Sequence, residues 1–198
     1  MKMSKCRGVL ALGSLLAFCA APLWSENSAS DSLETEFVDN GKITIELTAG
    51  THEITASRDN HIRLRWSVSK AGDLKKVDAR TDVDGSSATI DIEGEGNNFR
   101  TVIEVPRHSD LTVRLTAGDL SVENIIGNKD IRLRAGDLDV EVGNPEDYAH
   151  VEGSLWAGDI DAGPFNLDTE GLFRSIEWDG SGKYQLRFHL YAGDVRLY

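Results

Sequence analysis

The chain has 198 residues, of which 40% are hydrophobic, so it is long enough to form one domain with a substantial core. Its 33 acidic residues outnumber 21 Lys and Arg residues and give a formal net charge of −12. Because a charge of this sign repels nucleic acid and anionic lipid surfaces, we exclude both as main partners.

The first 25 residues have the pattern of a secretory signal peptide. Basic residues at positions 2, 5 and 7 precede an apolar run over 8–21 that is too short to span a bilayer. We expect cleavage between residues 19 and 29 and no transmembrane segment after the leader is removed. Phe18 stands where a lipoprotein signal has a small residue, so the sequence favours a simple leader over lipidation at Cys19. The mature protein is predicted to be secreted, periplasmic or displayed on the cell surface.

Residues 26–41 are rich in Ser, Asn, Asp and Glu and show little periodicity, which predicts a polar linker before a domain over 42–198. Within that domain apolar and polar residues alternate in short runs, as in strands with one buried face. Trp66 shares the apolar phase of Ile62, Leu64 and Val68 and is expected in the core. Since no segment after the leader has a sustained helical period, the sequence predicts an all-β fold.

One phrase recurs four times after residue 110: an apolar residue, any residue, then Ala-Gly-Asp and another apolar residue. The copies fall at residues 115–122, 133–140, 155–162 and 190–197, with a weaker one at 47–51. The alternation slips by one residue across each Gly-Asp pair, so the backbone must bend there to restore its facing. Glycine adopts positive φ freely, and aspartate hydrogen-bonds its own local backbone. We therefore predict structural corners at Gly118, Asp119, Gly136, Asp137, Gly158, Asp159, Gly193 and Asp194.

Strand, corner, strand and turn repeat along the chain, which favours a single domain of stacked short strands, like a β-solenoid or β-roll. A β-sandwich is the alternative. Runs over 172–178 and 183–191 flank a glycine-rich segment at 179–182, which predicts a hairpin. We expect the fourth copy of the repeat to cap the structure.

The chain resembles a known bacterial domain at the following residues: Val105-Pro106, Leu111-Thr112-Val113, Ala117-Gly118-Asp119-Leu120, Ala135-Gly136-Asp137-Leu138, Ala157-Gly158-Asp159-Ile160 and Ala192-Gly193-Asp194-Val195. It is similar there to the extracytoplasmic domain of unknown function labelled "putative adhesin", which is related to the toast-rack group of cell-envelope proteins. The resemblance covers roughly residues 42–198. It implies a β-solenoid or roll exported to the envelope and transfers no binding residues.

The recurring aspartates could form a ladder that binds a divalent cation through oxygen ligands. The sequence favours corner formation instead, because the nonapeptide repeat of calcium-binding β-rolls is absent. The histidines lack zinc-site spacing, and the chain has no nucleophile elbow or phosphate loop. We therefore predict no catalytic residue, no metal and no cofactor.

Two aromatic residues occupy the polar position just before an Ala-Gly-Asp corner, where other copies have Thr116 and Arg134. They are Trp156 and Tyr191. Flat aromatic rings stack on apolar sugar faces and anchor interfaces, so these two could form an outward platform for an envelope glycan or a surface protein. The alternative is that another segment covers them.

We predict a non-enzymatic envelope protein with an adhesin-like interaction or structural role. A carbohydrate-active enzyme using an Asp/Glu pair is a second hypothesis. A metal-stabilised surface module is a third. Exposed end strands could also pair between chains, which would give self-association.

Overall fold

The computed structural model describes residues 29–94 and 98–198, so the predicted signal peptide lies outside the described residues. Short 3₁₀ helices occur at Ala71–Lys76, Pro145–Asp147 and Gly163–Phe165. The described strands are β1 (Ala29–Glu36), β2 (Gly41–Ser57), β3 (His61–Val68), β4 (Asp78–Asp84), β5 (Ser87–Glu93), β6 (Arg100–Pro106), β7 (Ser109–Glu123), β8 (Lys129–Ala135), β9 (Leu138–Val140), β10 (Tyr148–Ala162), β11 (Leu167–Asp179), β12 (Tyr184–Ala192) and β13 (Val195–Leu197). The all-β prediction is confirmed.

Six of the strands pair in a closed ring, and every pairing in the ring is parallel: β7–β8–β12–β10–β13–β9 and back to β7. β2 joins the outside of β7, and β5 and β6 join β2, also in parallel. β1, β3, β4 and β11 add antiparallel outer pairings. All of these pairings belong to one 13-stranded sheet.

The predicted β-solenoid or β-roll is not confirmed, because order in space does not follow order in the chain. The fourth repeat, formed by β12 and β13, lies between the third and second repeats rather than capping the structure. β12 separates β8 from β10, and β13 separates β9 from β10. The outer position beyond β10 is taken by β11.

The predicted polar linker is wrong for residues 29–36, which form β1. This strand pairs antiparallel with β3 along its whole length, and Leu33 lies opposite Leu64 and packs against the core. Its other residues are mostly exposed, as expected for an edge strand. Because few of its side chains are buried, the sequence of this strand is mostly polar and resembles that of a linker.

The hairpin predicted around residues 179–182 is also wrong, because β11 and β12 lie on opposite sides of β10. The connection between them crosses the start of β10. The N–H groups of Gly180 and Gly182 donate to the carbonyls of Ala149 and Tyr148 over 3.0 and 3.1 Å. A Cβ at Gly182 would lie 2.2 Å from the carbonyl carbon of Asp147. The glycines therefore permit a close crossing of two backbones.

The five Ala-Gly pairs stack in register on neighbouring strands. The chain bends at Gly136 and Gly193, whereas β2, β7 and β10 continue as strands through Gly50, Gly118 and Gly158. The five glycines have φ values from 120° to 148°. A Cβ at Gly118 would lie 1.8 Å from the carbonyl oxygen of Gly50, and one at Gly136 would lie 1.9 Å from that of Gly118. The stack continues through Gly193 to Gly158, so neighbouring backbones touch at every corner.

Two of the corner aspartates, Asp137 and Asp194, bond to the neighbouring strand instead of their own local backbone. Oδ1 of Asp137 accepts the N–H of Asp194 over 2.9 Å, and Oδ1 of Asp194 accepts the N–H of Asp159 over 3.0 Å. These side chains satisfy backbone donors where the strand-to-strand ladder is interrupted by the bend. The corner motif thus links one repeat to the next.

The core consists of rows of apolar side chains that run across the strands, such as Leu47, Leu115, Leu133, Leu190 and Leu155, all at most 4% exposed. Trp66 is 9% exposed, which confirms its predicted core position. Among residues 29–94 and 98–198, we find no helix with the length and apolar character needed to cross a membrane.

Candidate functional site

On the outer face of the ring, β8, β12 and β10 each carry one side chain immediately before the Ala-Gly pair. The leucine row and the alanine row are in register across β8, β12 and β10, so Arg134, Tyr191 and Trp156 lie side by side between them. All three are exposed. The pairing of strands that are distant in the chain therefore brings the two predicted aromatic residues together.

Trp156 and Tyr191 stack face to face. Their ring centroids are 4.7 Å apart and their planes differ by 5°. This distance matches the spacing of adjacent strands, as expected for rings that stand upright on neighbouring strands. The two residues are 40% and 55% exposed, so no other described segment covers them. Since one face of Tyr191 is occupied by Trp156, its other face is turned toward β8, where Arg134 is its neighbour in the row.

Phe173 extends this aromatic stack on β11. It lies opposite Trp156 in the antiparallel register and packs against it edge to face, with centroids 5.5 Å apart and planes at 87°. It is 72% exposed. Sequence reasoning missed Phe173, although the run Gly171-Leu172-Phe173 breaks the polar-apolar alternation of the strand.

The backbone at Phe173 is strained. Its φ is 53°, in the left-handed region that a bulky residue rarely adopts, and Gly171 two residues before it has a φ of 107°. A non-glycine residue in this region costs about 1–3 kcal/mol, and such residues concentrate at ligand sites. The strained residue is thus the one whose ring lies at the end of the aromatic stack.

Beside the stack lies a groove with a volume of about 650 Å³, within the range of small-molecule sites. We call it the arginine–aromatic groove. Its functional lining comprises the aromatic stack of Trp156, Tyr191 and Phe173 and a cationic wall of Arg114, Arg132, Arg134 and Arg174.

The arginines of this wall retain donors that the fold does not use. Arg114 Nη1 donates to Glu46 over 2.6 Å, and Arg132 donates to Asp130 over 3.3 Å. Arg174 donates through Nε to the carbonyl of Glu170. Arg134 forms no ion pair within 4.0 Å with the part of the chain that the structure describes. Each guanidinium has five N–H donors, so the wall can still bind an anion.

The groove does not provide the carboxylate pair that a glycosidase needs. Among the described residues that line it, Glu46 is the single carboxylate, and Arg114 binds it. Glycoside cleavage normally uses two carboxyl groups that flank the scissile bond. The groove is therefore suited to binding rather than to this hydrolysis.

The corner aspartates line one side of the stacked bends, and in the described chain they do not converge as a set of metal ligands. The cluster with such geometry lies elsewhere, at His150, Glu177 and Asp179 on the β10–β11 edge. His150 Nδ1 is 2.7 Å from Oδ1 of Asp179, whose side chain is 76% exposed. This contact is an ion pair at the surface when His150 is protonated.

Two titratable side chains lie in the apolar core, away from the groove. Lys129 is 2% exposed, its Nζ donates to the Tyr148 hydroxyl over 3.0 Å, and burial lowers its pKa to about 8. His52 is 1% exposed, and burial lowers its pKa to about 4. Nδ1 of His52 bonds Thr101 Oγ1 over 2.8 Å. Lys129 lies between Leu111 and Leu186 in a row that is otherwise apolar, whereas His52 lies between Leu120 and the buried polar residue Thr101.

No protein-family model matches the chain, and no curated protein sequence matches it. The chain is similar to a solved structure from Clostridium sporogenes, described as "a putative cell adhesion protein", with 12% identity, a TM-score of 0.57, and coverage of 86% of this chain and 98% of that one. At this identity the likeness establishes a shared fold. The resemblance to the adhesin-type domain is confirmed at that level.

Two further matches are structures described as putative adhesins. The one from Parabacteroides distasonis has 12% identity and a TM-score of 0.29, and covers 85% of this chain and 70% of that one. The one from Bacteroides fragilis has 10% identity and a TM-score of 0.28, and covers 86% and 97%. Both scores are below 0.5, so we base no argument on them.

Proposed function

We propose that the protein is an exported, non-enzymatic binding protein of adhesin type that holds a saccharide in the arginine–aromatic groove. The observation that carries this proposal is the stacked, exposed pair of Trp156 and Tyr191 at the side of a concave groove. The leader-like residues 1–25 support export. The shared fold with a protein described as a cell adhesion protein supports the adhesin-type role.

Aromatic rings bind sugars because the C–H face of a pyranose is apolar and flat, and burying it against a ring removes both surfaces from water. The ring of Tyr191 is held in place by stacking on Trp156, and Phe173 packs against the other side of Trp156. Little side-chain entropy is therefore lost when a ligand binds.

The size of the groove favours a saccharide over a folded protein partner. A volume of about 650 Å³ accommodates a small number of sugar rings. A stable protein interface instead requires roughly 800 Å² on each partner. The exposed aromatic residues at the groove form a narrow row, which matches a chain of rings better than a broad surface.

The test is a glycan array probed with residues 26–198 and with the W156A/Y191A double variant. We expect the wild type to bind at least one class of saccharide and the double variant to bind it about tenfold more weakly or worse, as for truncated aromatic hot spots. An envelope pull-down with the same two proteins reports protein partners.

Tyr198→Ala is the matched control, because Tyr198 is an aromatic residue with 48% exposure that does not line the groove. This variant should bind like the wild type. Equal retention of glycans by the double variant and the wild type would contradict the proposal. Capture of a protein that depends on the two rings, without any glycan, would replace the saccharide with a protein partner.

A further inference from the structure

The cationic wall of the arginine–aromatic groove places like charges next to one another. Arg114 on β7 and Arg132 on β8 are directly paired in the parallel register, and Arg134 follows two residues later on the same face of β8. Like charges directly opposite each other across strands destabilise a sheet. Glu46 and Asp130 each pair with one of these arginines. Arg134 has no such partner among the described residues, so an anionic ligand would complete the charge balance of the wall.

The charge of the wall is opposite to that of the whole molecule. The chain has a net charge of −12, yet the described residues lining the groove include four arginines and the single carboxylate Glu46. A concave site of one sign concentrates ligands of the other sign. The groove therefore has the electrostatic character of an anion site on an acidic protein.

The position of Arg134 relates this anion site to the aromatic stack. Arg134 lies beside Tyr191 in the same row, on the side of Tyr191 that Trp156 leaves free. The planar guanidinium matches the two oxygens of a carboxylate and can bind them through two parallel hydrogen bonds. A sugar ring on the face of Tyr191 would place a carboxylate substituent within reach of Arg134 and Arg132.

We propose that the groove binds a carboxylated saccharide, with the sugar ring against Tyr191 and the carboxylate on Arg134 and Arg132. This proposal rests on the proposed function, since it specifies the saccharide class that the same groove takes. It predicts that the protein discriminates between sugars that have the same rings and differ in charge.

The experiment measures affinity for matched pairs of neutral and acidic probes: oligogalacturonate against its methyl ester, and sialyllactose against the methyl ester of its sialic acid carboxylate. The proteins are wild type, R134Q, R132Q and W156A/Y191A, with R196Q as the control because Arg196 is exposed and lies outside the groove. We expect wild type and R196Q to prefer an acidic probe by about tenfold or more, as for a lost charge-assisted hydrogen bond. R134Q and R132Q should each reduce this preference.

The outcomes separate the two proposals. Equal affinity for the acidic and neutral members of a pair, with binding lost in W156A/Y191A, would overturn the carboxylate assignment and leave the saccharide function intact. Failure of the wild type to bind any saccharide would overturn both. A preference for the acidic probe that R134Q and R132Q leave unchanged would show that the carboxylate binds elsewhere and would also overturn the inference.

Discussion

The corner glycines are the residues at which the fold tolerates least change. At Gly136 a Cβ would lie 1.9 Å from the carbonyl oxygen of Gly118, and φ is 125°. Both the steric contact and the backbone conformation exclude any other residue. The sequence allows this to be predicted, because the alternation of apolar residues slips at each Gly-Asp pair.

We predict that Gly136→Ala lowers the free energy of unfolding by about 3–5 kcal/mol, because overpacking is added to left-handed strain. Urea unfolding followed by circular dichroism measures this loss. Gly72→Ala is the matched control, since a Cβ at Gly72 would meet nothing within 4 Å. A loss of less than 1 kcal/mol for Gly136→Ala would show that the corner backbones can separate at little cost.

Lys129 makes the free energy of unfolding rise with pH, whereas a lysine stabilised by an ion pair makes it fall. Its pKa is lowered to about 8 by burial, below the ordinary lysine value in the unfolded chain. Between these two pKa values the unfolded state binds more protons than the folded state, so stability rises with pH. Below the folded pKa both states are charged and the buried charge destabilises the fold.

We predict that wild-type stability increases by about 2 kcal/mol from pH 7 to pH 9.5 relative to Lys129→Met, which lacks the titrating group. Unfolding in urea at a series of pH values measures this difference. Tyr148, whose pKa burial raises to about 12, stays neutral in the folded protein across this range. The exposed Lys42→Met variant should retain the rise. Parallel pH curves for wild type and Lys129→Met would refute the assignment.

At the scale of strands, the sequence predicts where a strand lies better than which strand it meets. β3 and β7 follow from the alternation of apolar and polar residues along each strand. Proline cannot donate a ladder hydrogen bond, and β6 ends at Pro106. The pairing of β12 with β8 and β10 does not follow from local pattern, since these strands are far apart in the chain. The glycine-rich segment before β12 resembles a hairpin turn because a backbone crossing and a tight turn both require glycine.

The candidate site shows the same division between local and non-local information. Trp156 and Tyr191 can be identified from their shared position in the repeat, but their mutual stacking depends on β12 lying beside β10. Arg114 and Arg132 are predicted to face outward by alternation, and only the register between β7 and β8 makes them neighbours. Lys129 alternates in phase with the inward-facing Ile131 and Leu133, so its burial could be predicted from the sequence. Because it directly follows the turn residues Gly127-Asn128, it is easily assigned to the turn instead.

At the scale of the whole molecule, closure of the ring depends on the shortest strands. β13 has three residues, yet it pairs with β9 on one side and β10 on the other and buries Val195 and Leu197 to 2% exposure or less. β1 has eight residues and pairs with β3 alone. The contribution of a strand to stability should therefore follow its position in the ring and not its length.

We predict that deleting residues 193–198 costs at least about 5 kcal/mol, because two fully buried aliphatic side chains and two sets of strand pairings are lost. This loss is comparable with the whole stability of a domain, so most of the truncated protein should be unfolded. Deleting residues 29–36 is the matched control. It removes more residues but leaves the ring closed, so we expect a folded protein with a midpoint reduced by a few degrees.

Thermal unfolding and tryptophan fluorescence of the two deletion variants distinguish ring closure from simple chain length. If length decided stability, the deletion of 29–36 would be the more harmful of the two. If closure decides it, the deletion of 193–198 should also abolish saccharide binding, because Tyr191 and Trp156 are held in register by strands that continue into β13 and the second half of β10. The deletion of 29–36 should leave binding unchanged, since β1 lies outside the ring and does not line the groove.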